Sequence, residues 1–109
     1  MRNRFAGILI PTYNRAHSLP RALDSCFNQT YPFIKVYVID DGSTDKTGQI
    51  IKSYQSLYGK DKLFYKKEKH RGACAARNAG LSMIDTCYLQ FLDSDDFLLP
   101  QKIEKQVHQ

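Results

Sequence analysis

The sequence lacks the features that mark exported, membrane-spanning and disulfide-stabilised proteins. No apolar run approaches the roughly 20 residues that a transmembrane helix requires. The amino terminus leads into a short apolar run that is wrongly flanked for a signal peptide. The wide spacing of the only three cysteines, Cys26, Cys74 and Cys87, excludes a disulfide framework and a zinc pattern. We expect each to be a buried reduced thiol in a cytoplasmic protein.

Internal repeats, low-complexity tracts and linkers are also absent. A chain of 109 residues, 42% of them hydrophobic, suffices for one domain with a buried core, so we expect residues 1–109 to form a single unit. The formal charge is +5, but the basic residues concentrate only between Lys60 and Arg71, where Phe64 and Tyr65 interleave. We interpret that segment as a solvated strand edge and loop and predict no nucleic-acid partner. The charge equally suits an anionic ligand or a membrane surface.

Short apolar runs alternate with helical patterns along the chain. Strands are predicted at 6–10, where Pro11 ends the run, and at 35–39, 63–65 and 88–92. Helices are predicted from Ser18 as cap, from about Thr44 to Tyr58, from about Ala73 to Ile84, and from Leu98 onward. This alternation indicates an α/β fold with about four parallel strands and helices on both faces of the sheet.

Polar side chains cluster where three of the predicted strands end. They occupy residues 12–15 after the first strand, Asp40 and Asp41 after the second, and residues 93–96 after the fourth. In open parallel sheets, ligands bind outside the carboxyl ends of the strands. The sequence therefore predicts a ligand site at this edge of the sheet.

Asp93, Ser94 and Asp95 form an Asp-x-Asp triplet, with Asp96 adjoining. Three carboxylates within four residues repel one another unless positive charge lies among them. Mg²⁺ and Mn²⁺ favour carboxylate oxygens, and they commonly bind through one or two carboxylates plus substrate phosphates. The triplet therefore favours a divalent-metal site that holds a phosphorylated ligand, with a solvated Asp-rich turn as the alternative.

The Asp40-Asp41 pair opens a turn whose remaining residues are those of a helix start. One aspartate would suffice for the turn, so we predict that at least one of the two contacts a base N–H or ribose hydroxyls. In the segment 11–15, Tyr13 offers a face for stacking a base, while Thr12 and Arg15 offer donors. A simple strand stop and turn is the alternative there.

The segment 70–78 leads into the third predicted helix. Gly72 permits close approach of the backbone to a ligand, and a helix start attracts phosphate. Arg77 either faces that ligand or pairs with a buried acid. The histidines His17, His70 and His108 do not cluster, so none is assigned to metal.

Five motifs occur in the order found in one enzyme family, and together they resemble the amino-terminal half of the family 2 inverting glycosyltransferases of the GT-A fold. The resemblance covers residues 6–100. The motifs are Pro11-Thr12-Tyr13-Asn14-Arg15, Gln29-Thr30-Tyr31-Pro32, Val38-Ile39-Asp40-Asp41-Gly42-Ser43-Thr44-Asp45, Ala76-Arg77-Asn78-Ala79-Gly80 and Phe91-Leu92-Asp93-Ser94-Asp95-Asp96.

The resemblance implies a Rossmann-like three-layer α/β/α fold, a nucleotide-diphosphate-sugar donor, most often a UDP-sugar, and Mn²⁺ or Mg²⁺. Tyr13 would stack on the base, Asp41 would accept a hydrogen bond from the base N–H, and Arg77 would lie near the donor. Asp93 would contact the ribose or the sugar, and Asp95 would ligate the metal. The full set implied for the donor is Pro11, Thr12, Tyr13, Asn14, Arg15, Asp40, Asp41, Gly72, Arg77, Asp93 and Ser94, with Asp40 supporting its loop. The metal set is Asp95 and Asp93.

Family members continue beyond the Asp-x-Asp segment into an acceptor half that carries a catalytic carboxylate base. This sequence stops before that half, so no catalytic base is assigned, and we expect a donor domain that is inactive alone. A non-catalytic nucleotide-sugar-binding module or an inactive fragment is the alternative. A receiver-like signalling domain is disfavoured because Pro11 and Thr12, rather than an acidic pair, follow the first strand.

The sequence leaves the acceptor, the oligomeric state and membrane attachment undetermined. The acceptor is a saccharide, a lipid-linked molecule or a protein, and the sequence does not choose among them. An unpaired sheet edge is a template for association, so a homodimer is a further expectation. Peripheral attachment to the inner face of a membrane is the alternative to a freely cytoplasmic protein.

Overall fold

Strands and helices alternate along the chain in a computed structural model that describes residues 4–108. The four strands are β1 (Ala6–Thr12), β2 (Ile34–Asp40), β3 (Leu63–Lys67) and β4 (Tyr88–Phe91). The four helices are α1 (Leu19–Phe27), α2 (Thr47–Tyr58), α3 (Ala73–Leu81) and α4 (Lys102–Val107).

The strands form one parallel sheet in the order β3-β2-β1-β4. The chain therefore moves outward from β1 to β3 and then returns to the other side of β1, which places a switch point between β1 and β4. Ligand sites of open parallel sheets lie at such points, outside the carboxyl ends of the strands. The predicted α/β class, strand number and parallel pairing are confirmed.

Helices cover both faces of the sheet, as a three-layer fold requires. On one face, Ile8, Ile10 and Val38 of the central strands pack with Leu23 of α1 and Ile51 of α2, and all five are fully buried. The same core includes Ile103 of α4. The alternation of strand side chains sends their neighbours to the opposite face.

That opposite face is covered by α3 alone among the described helices. Leu9, Tyr37 and Ile39 form the sheet surface there, and Ala76 packs on it. A Cβ atom added at Gly80 would overlap the side chain of Leu9. The small residues of α3 therefore let this helix lie close to the sheet.

Strand β1 continues through Pro11 to Thr12, although the sequence predicted that Pro11 would end it. The main chain of Thr12 faces β2, since its carbonyl accepts the N–H of Asp41 at 2.9 Å. The missing N–H of Pro11 therefore faces β4, whose pairing with β1 has already ended at Leu9. Proline costs no ladder hydrogen bond at such a position.

Several other boundaries differ from prediction, and helix α4 begins at Lys102 rather than Leu98. Helix α2 begins at Thr47 rather than Thr44, because the preceding residues form the turn that follows β2. Helix α3 ends at Leu81 rather than Ile84. Leu57 lies on the outer side of α2 and is 71% exposed.

Strand β4 is an edge strand with half-exposed Tyr88, Leu89 and Phe91. It pairs only with β1 among the described strands, so its outer side has no sheet neighbour. The cysteine prediction holds only for Cys26, where burial raises the pKa of the thiol well above its ordinary value. Cys74 and Cys87 are exposed.

A bilayer-spanning helix would need far more apolar length than any helix described between residues 4 and 108 possesses.

Candidate functional site

A cleft of about 480 Å³ opens at the carboxyl edge of the sheet, between the ends of β1, β2 and β4 and the start of α3. Every residue predicted for the donor or the metal lines it except Asp40. His70 and Ala76 also contribute, although neither was predicted. The lining is Pro11, Thr12, Tyr13, Asn14, Arg15, Asp41, His70, Gly72, Ala76, Arg77, Asp93, Ser94 and Asp95.

The loops after β1 and β2 are bound to each other by polar contacts. Asn14 adopts a left-handed conformation with φ 51°, which asparagine tolerates better than most residues. Its N–H donates to Oγ of Ser43 at 2.9 Å, and its Oδ1 accepts the N–H of Thr44 at 2.8 Å. Asn14 therefore shapes the cleft wall as a connector between the two loops.

Asp45 fastens the same loop pair from the other side. Its carboxylate accepts the N–H of Ala16 at 3.0 Å and both the N–H and the hydroxyl of Thr47 at 3.0 and 2.6 Å. Burial alone would raise the pKa of Asp45, but these hydrogen bonds hold it below its ordinary value. Asp45 thus caps the start of α2 while it anchors the loop after β1.

Thr12 lines the cleft and carries a buried hydroxyl. The residue is only 4% exposed, and its hydroxyl has no hydrogen-bond partner among the described residues. A buried hydroxyl without a partner costs free energy of order 1–3 kcal/mol. Such an atom at a cleft wall is suited to receive a hydrogen bond from a ligand.

Asp40 lies beneath the cleft and not in its wall, which corrects its place among the donor-binding residues. It is fully buried. Its Oδ1 accepts the N–H of Ser43 at 2.8 Å, and its Oδ2 accepts the hydroxyl of Tyr65 at 2.5 Å. With both oxygens engaged inside the fold, Asp40 supports the loop, the role that the resemblance implied for it.

Asp41 joins β2 to the loop between β3 and α3. Its Oδ1 accepts the N–H of Arg71 at 2.8 Å, and its Oδ2 accepts the N–H of Gly72 at 2.9 Å. The Nδ1 atom of His70 lies 2.8 Å from the same Oδ2. Burial alone would raise the pKa of Asp41, but these contacts lower it, so the carboxylate is ionised at neutral pH.

Two glycines permit this contact between loops. Gly42 has φ 87°, and a Cβ atom there would lie 3.0 Å from the N atom of His70 and 3.1 Å from the carbonyl oxygen of Glu68. Gly72 has φ 98° directly before α3. The positive φ angles favour glycine at both positions.

His70 stacks on Tyr13, with ring centroids 4.2 Å apart and an interplanar angle of 22°. The sequence predicts no role for His70, because its three histidines are spread along the chain and do not form a metal-binding cluster. The signal that would have found it is its position two residues before Gly72, in a loop that returns to Asp41. The stack is a contact between the loop after β1 and the loop after β3.

The acidic triplet faces Arg77 across the cleft. The guanidinium Nη2 lies 3.8 Å from Oδ1 of Asp93, and both side chains are well exposed, at 43% and 68%. Exposed pairs of this length contribute little to stability. Arg77 therefore does not form the buried ion pair that was the structural alternative. The side chains of Arg77 and Asp93 are both free to turn toward a ligand.

Ser94 is buried, and its carbonyl oxygen accepts the hydroxyl of Ser18 at 2.9 Å. This contact ties the triplet to the start of α1. The hydroxyl of Ser18 makes no capping hydrogen bond to α1, contrary to prediction.

The carboxylates of the described residues fit a cation that is also bound by a ligand. No group of three or more His, Cys, Asp or Glu side chains between residues 4 and 108 could hold a metal by itself. The cleft instead carries the carboxylates of Asp93 and Asp95 on one loop. One or two carboxylates completed by phosphate oxygens and water is a common arrangement for Mg²⁺.

Comparisons with known proteins point to one enzyme family. The family model described as glycosyl transferase family 2 matches residues 7–109. An uncharacterized glycosyltransferase of Haemophilus influenzae is 43% identical over 101 residues, which are 93% of this chain and 40% of that protein. The chondroitin synthase of Pasteurella multocida is 38% identical over 98 residues, which are 89% of this chain and 10% of the synthase.

Solved structures show the same fold. S. aureus TarS 1–349 in complex with UDP-GlcNAc superposes with a TM-score of 0.87 and 27% identity, over 95% of this chain and 30% of that one. The mannosyltransferase PcManGT of Pyrobaculum calidifontis, in complex with GDP-Man and Mn²⁺, superposes with a TM-score of 0.80 and 28% identity, over 89% of this chain and 29% of that one. The chain thus spans well under half the length of these proteins. Its GT-A fold, its motifs and the family match together establish that the chain belongs to glycosyltransferase family 2.

Proposed function

We propose that this chain is the donor-binding unit of a family 2 glycosyltransferase, and that its cleft holds a UDP-sugar together with Mn²⁺ or Mg²⁺. The observation that carries the proposal is the convergence of Tyr13, Asp41 and the Asp93–Asp95 loop on one cleft of about 480 Å³. An aromatic face, a buried carboxylate and a pair of exposed carboxylates are the groups that a base, a ribose and a metal-bound diphosphate require.

The base and the ribose belong at the β1 and β2 side of the cleft. Tyr13 offers a ring for stacking, which contributes about 1–3 kcal/mol per base. Asp41 is ionised and accepts hydrogen bonds only, so it selects a base edge that presents an N–H. The unpartnered hydroxyl of Thr12 adds a further polar contact at the same wall.

The diphosphate belongs at the Arg77 and Asp93 side. Asp95 and Asp93 would hold the cation, and Arg77 would place its guanidinium against a phosphate oxygen. When bound, the cation supplies electrostatic stabilisation of the charge that develops on the diphosphate leaving group. Complexes of the TarS and PcManGT structures with UDP-GlcNAc and with GDP-Man and Mn²⁺ support this assignment.

Inverting transfer by direct displacement needs a base to take the proton from the acceptor hydroxyl. No residue described in the cleft is assigned that role. We propose that a further segment supplies the base and the acceptor site, as the greater length of the relatives suggests. A nucleotide-sugar-binding module without catalysis is the second candidate, favoured by the same lack of an assigned base.

The outer edge of β4 is the proposed contact for a second copy of the chain. Its apolar side chains Tyr88, Leu89 and Phe91 are half-exposed, whereas the opposite edge strand β3 carries Lys66 and Lys67. Lysines oppose edge-to-edge pairing, so β4 is the edge open to association. Sedimentation equilibrium over a range of concentrations measures this association of two copies.

We also propose a cytoplasmic location for the unit.

Titration calorimetry with UDP, with and without Mn²⁺, tests the donor proposal. We expect Mn²⁺ to strengthen UDP binding, and Asp95→Asn to weaken the Mn²⁺-dependent binding by about tenfold, the equivalent of 1.4 kcal/mol. Asp96→Asn is the matched control, because Asp96 adjoins the triplet without lining the cleft. Metal-independent binding that both variants leave unchanged would remove the metal assignment.

A donor-hydrolysis assay then separates the two candidates. Release of free sugar from a UDP-sugar by this chain would contradict the pure binding module. Binding without turnover by this chain, together with turnover by a form that includes the proposed acceptor segment, would support the division into donor and acceptor units.

A further inference from the structure

The ring of His70 makes two contacts in the cleft. Its face stacks on Tyr13, with centroids 4.2 Å apart. Its Nδ1 atom lies 2.8 Å from Oδ2 of Asp41 and 3.2 Å from the main-chain oxygen of the same residue. Both neighbours of Nδ1 are acceptors, so Nδ1 carries a proton and donates.

A flat ring that stacks on Tyr13 and donates an N–H to Asp41 makes the contacts proposed for the nucleobase. We propose that His70 occupies the base position as an internal ligand, and that the base of the donor displaces it. This inference rests on the proposed function of the cleft. It adds a residue that controls access to the site and competes with the substrate.

Displacement of the His70 ring costs little free energy in this structure. The side chain of His70 is 59% exposed and lies in the loop between β3 and α3, so it can turn into solvent. The loop does not depend on the ring for its position, because the N–H groups of Arg71 and Gly72 keep their bonds to Asp41. When the ring leaves, Oδ2 of Asp41 regains a lone pair for a base N–H.

The expected effect follows from the fraction of molecules in which the ring blocks the site. Apparent affinity falls in proportion to the fraction of competent molecules. If the ring covers Tyr13 in about nine of ten molecules, its removal tightens binding about tenfold. If His70 only lined the site and contacted the base, its removal would instead weaken binding, because that contact would be lost.

The test is a titration with UMP, which reports on the base position without the diphosphate or the metal. NMR titrations compare the unaltered chain with His70→Ala, His70→Phe and the control His108→Ala, which changes an exposed histidine at the end of α4. We expect His70→Ala to bind about fivefold to tenfold more tightly. His70→Phe, which stacks but cannot donate to Asp41, is expected to fall between, and His108→Ala to match the unaltered chain.

The ring itself supplies a second readout in the unaltered protein. Long-range ¹H–¹⁵N spectra distinguish a hydrogen-bonded Nδ1–H from a solvated ring, and we expect saturating UMP to convert the first signal into the second. This measurement needs no variant to fold.

The outcomes separate the inference from the function on which it rests. Equal or weaker UMP binding by His70→Ala, or a His70 ring signal that UMP leaves unchanged, overturns the internal ligand while donor binding stands. Absence of saturable UMP and UDP binding in every form overturns the donor site, and the internal ligand with it.

Discussion

Replacing Tyr65 by phenylalanine removes the hydroxyl that holds the inner acid of the Asp40-Asp41 pair. That hydroxyl lies 2.5 Å from Oδ2 of Asp40, whose Oδ1 accepts the N–H of Ser43. Burial, followed by the hydrogen bond to Asp40, raises the pKa of the Tyr65 phenol well above its ordinary value. The phenol therefore remains a donor throughout the neutral range.

The magnitude follows from the charge and burial of the acceptor. Hydrogen bonds to charged groups contribute about 1.5–3 kcal/mol each, and the variant would leave one oxygen of the fully buried Asp40 without a partner. We expect the free energy of unfolding to fall by about 2 kcal/mol. For a chain of this size the melting temperature should drop by about 8 °C.

Urea unfolding followed by circular dichroism measures the change. Tyr88→Phe is the matched control, since Tyr88 is half-exposed on the edge strand β4, and we expect it to change stability by less than about 0.5 kcal/mol. A double-mutant cycle with Asp40→Asn isolates the pair. Equal stabilities of Tyr65→Phe and Tyr88→Phe, or additivity in the cycle, would refute the structural role given to Asp40.

Two further predictions concern helix packing and pH. Gly80→Ala should destabilise the fold by about 1–3 kcal/mol, because its Cβ atom meets the sheet, whereas Gly48→Ala in α2 should stabilise it by about 0.5–1 kcal/mol; chemical denaturation of both decides this. The pKa values of Asp41 and Asp45 are lowered by folding, so their contribution to stability is present at neutral pH and is lost as pH falls below the ordinary value of 3.8. Denaturation midpoints measured between pH 7 and pH 3 should therefore decline less steeply in Asp45→Asn, and an unchanged slope would contradict the assignment.

The position of the site was predictable because of a property of parallel sheets. Polar residues at 12–15, at Asp41 and at 93–95 are far apart in sequence, but the carboxyl ends of their strands meet at one edge. Strand alternation and the helical pattern of α1 were local signals, and they predicted the fold class correctly. The order of the strands then brought these residues to a single cleft.

The features that were missed depend on contacts distant in sequence. Asp40 is the acid that is turned away from the cleft, and its partner Tyr65 lies on another strand. The role of His70 depends on the loop that Asp41 draws toward Tyr13. The exposure of β4 and the tolerance of Pro11 both follow from where the last strand pairs, which no local pattern reveals.

The central claim is that UDP and a divalent cation bind together at the carboxyl edge of this sheet. The most direct measurement is an amide NMR titration with UDP, first with Mg²⁺ and then with a trace of paramagnetic Mn²⁺. We expect saturable shifts at Tyr13, Asp41 and Gly72, and Mn²⁺ broadening at Asp93 and Asp95 that requires UDP. Saturable shifts confined to other surfaces, or broadening at the triplet that UDP does not affect, would contradict the account.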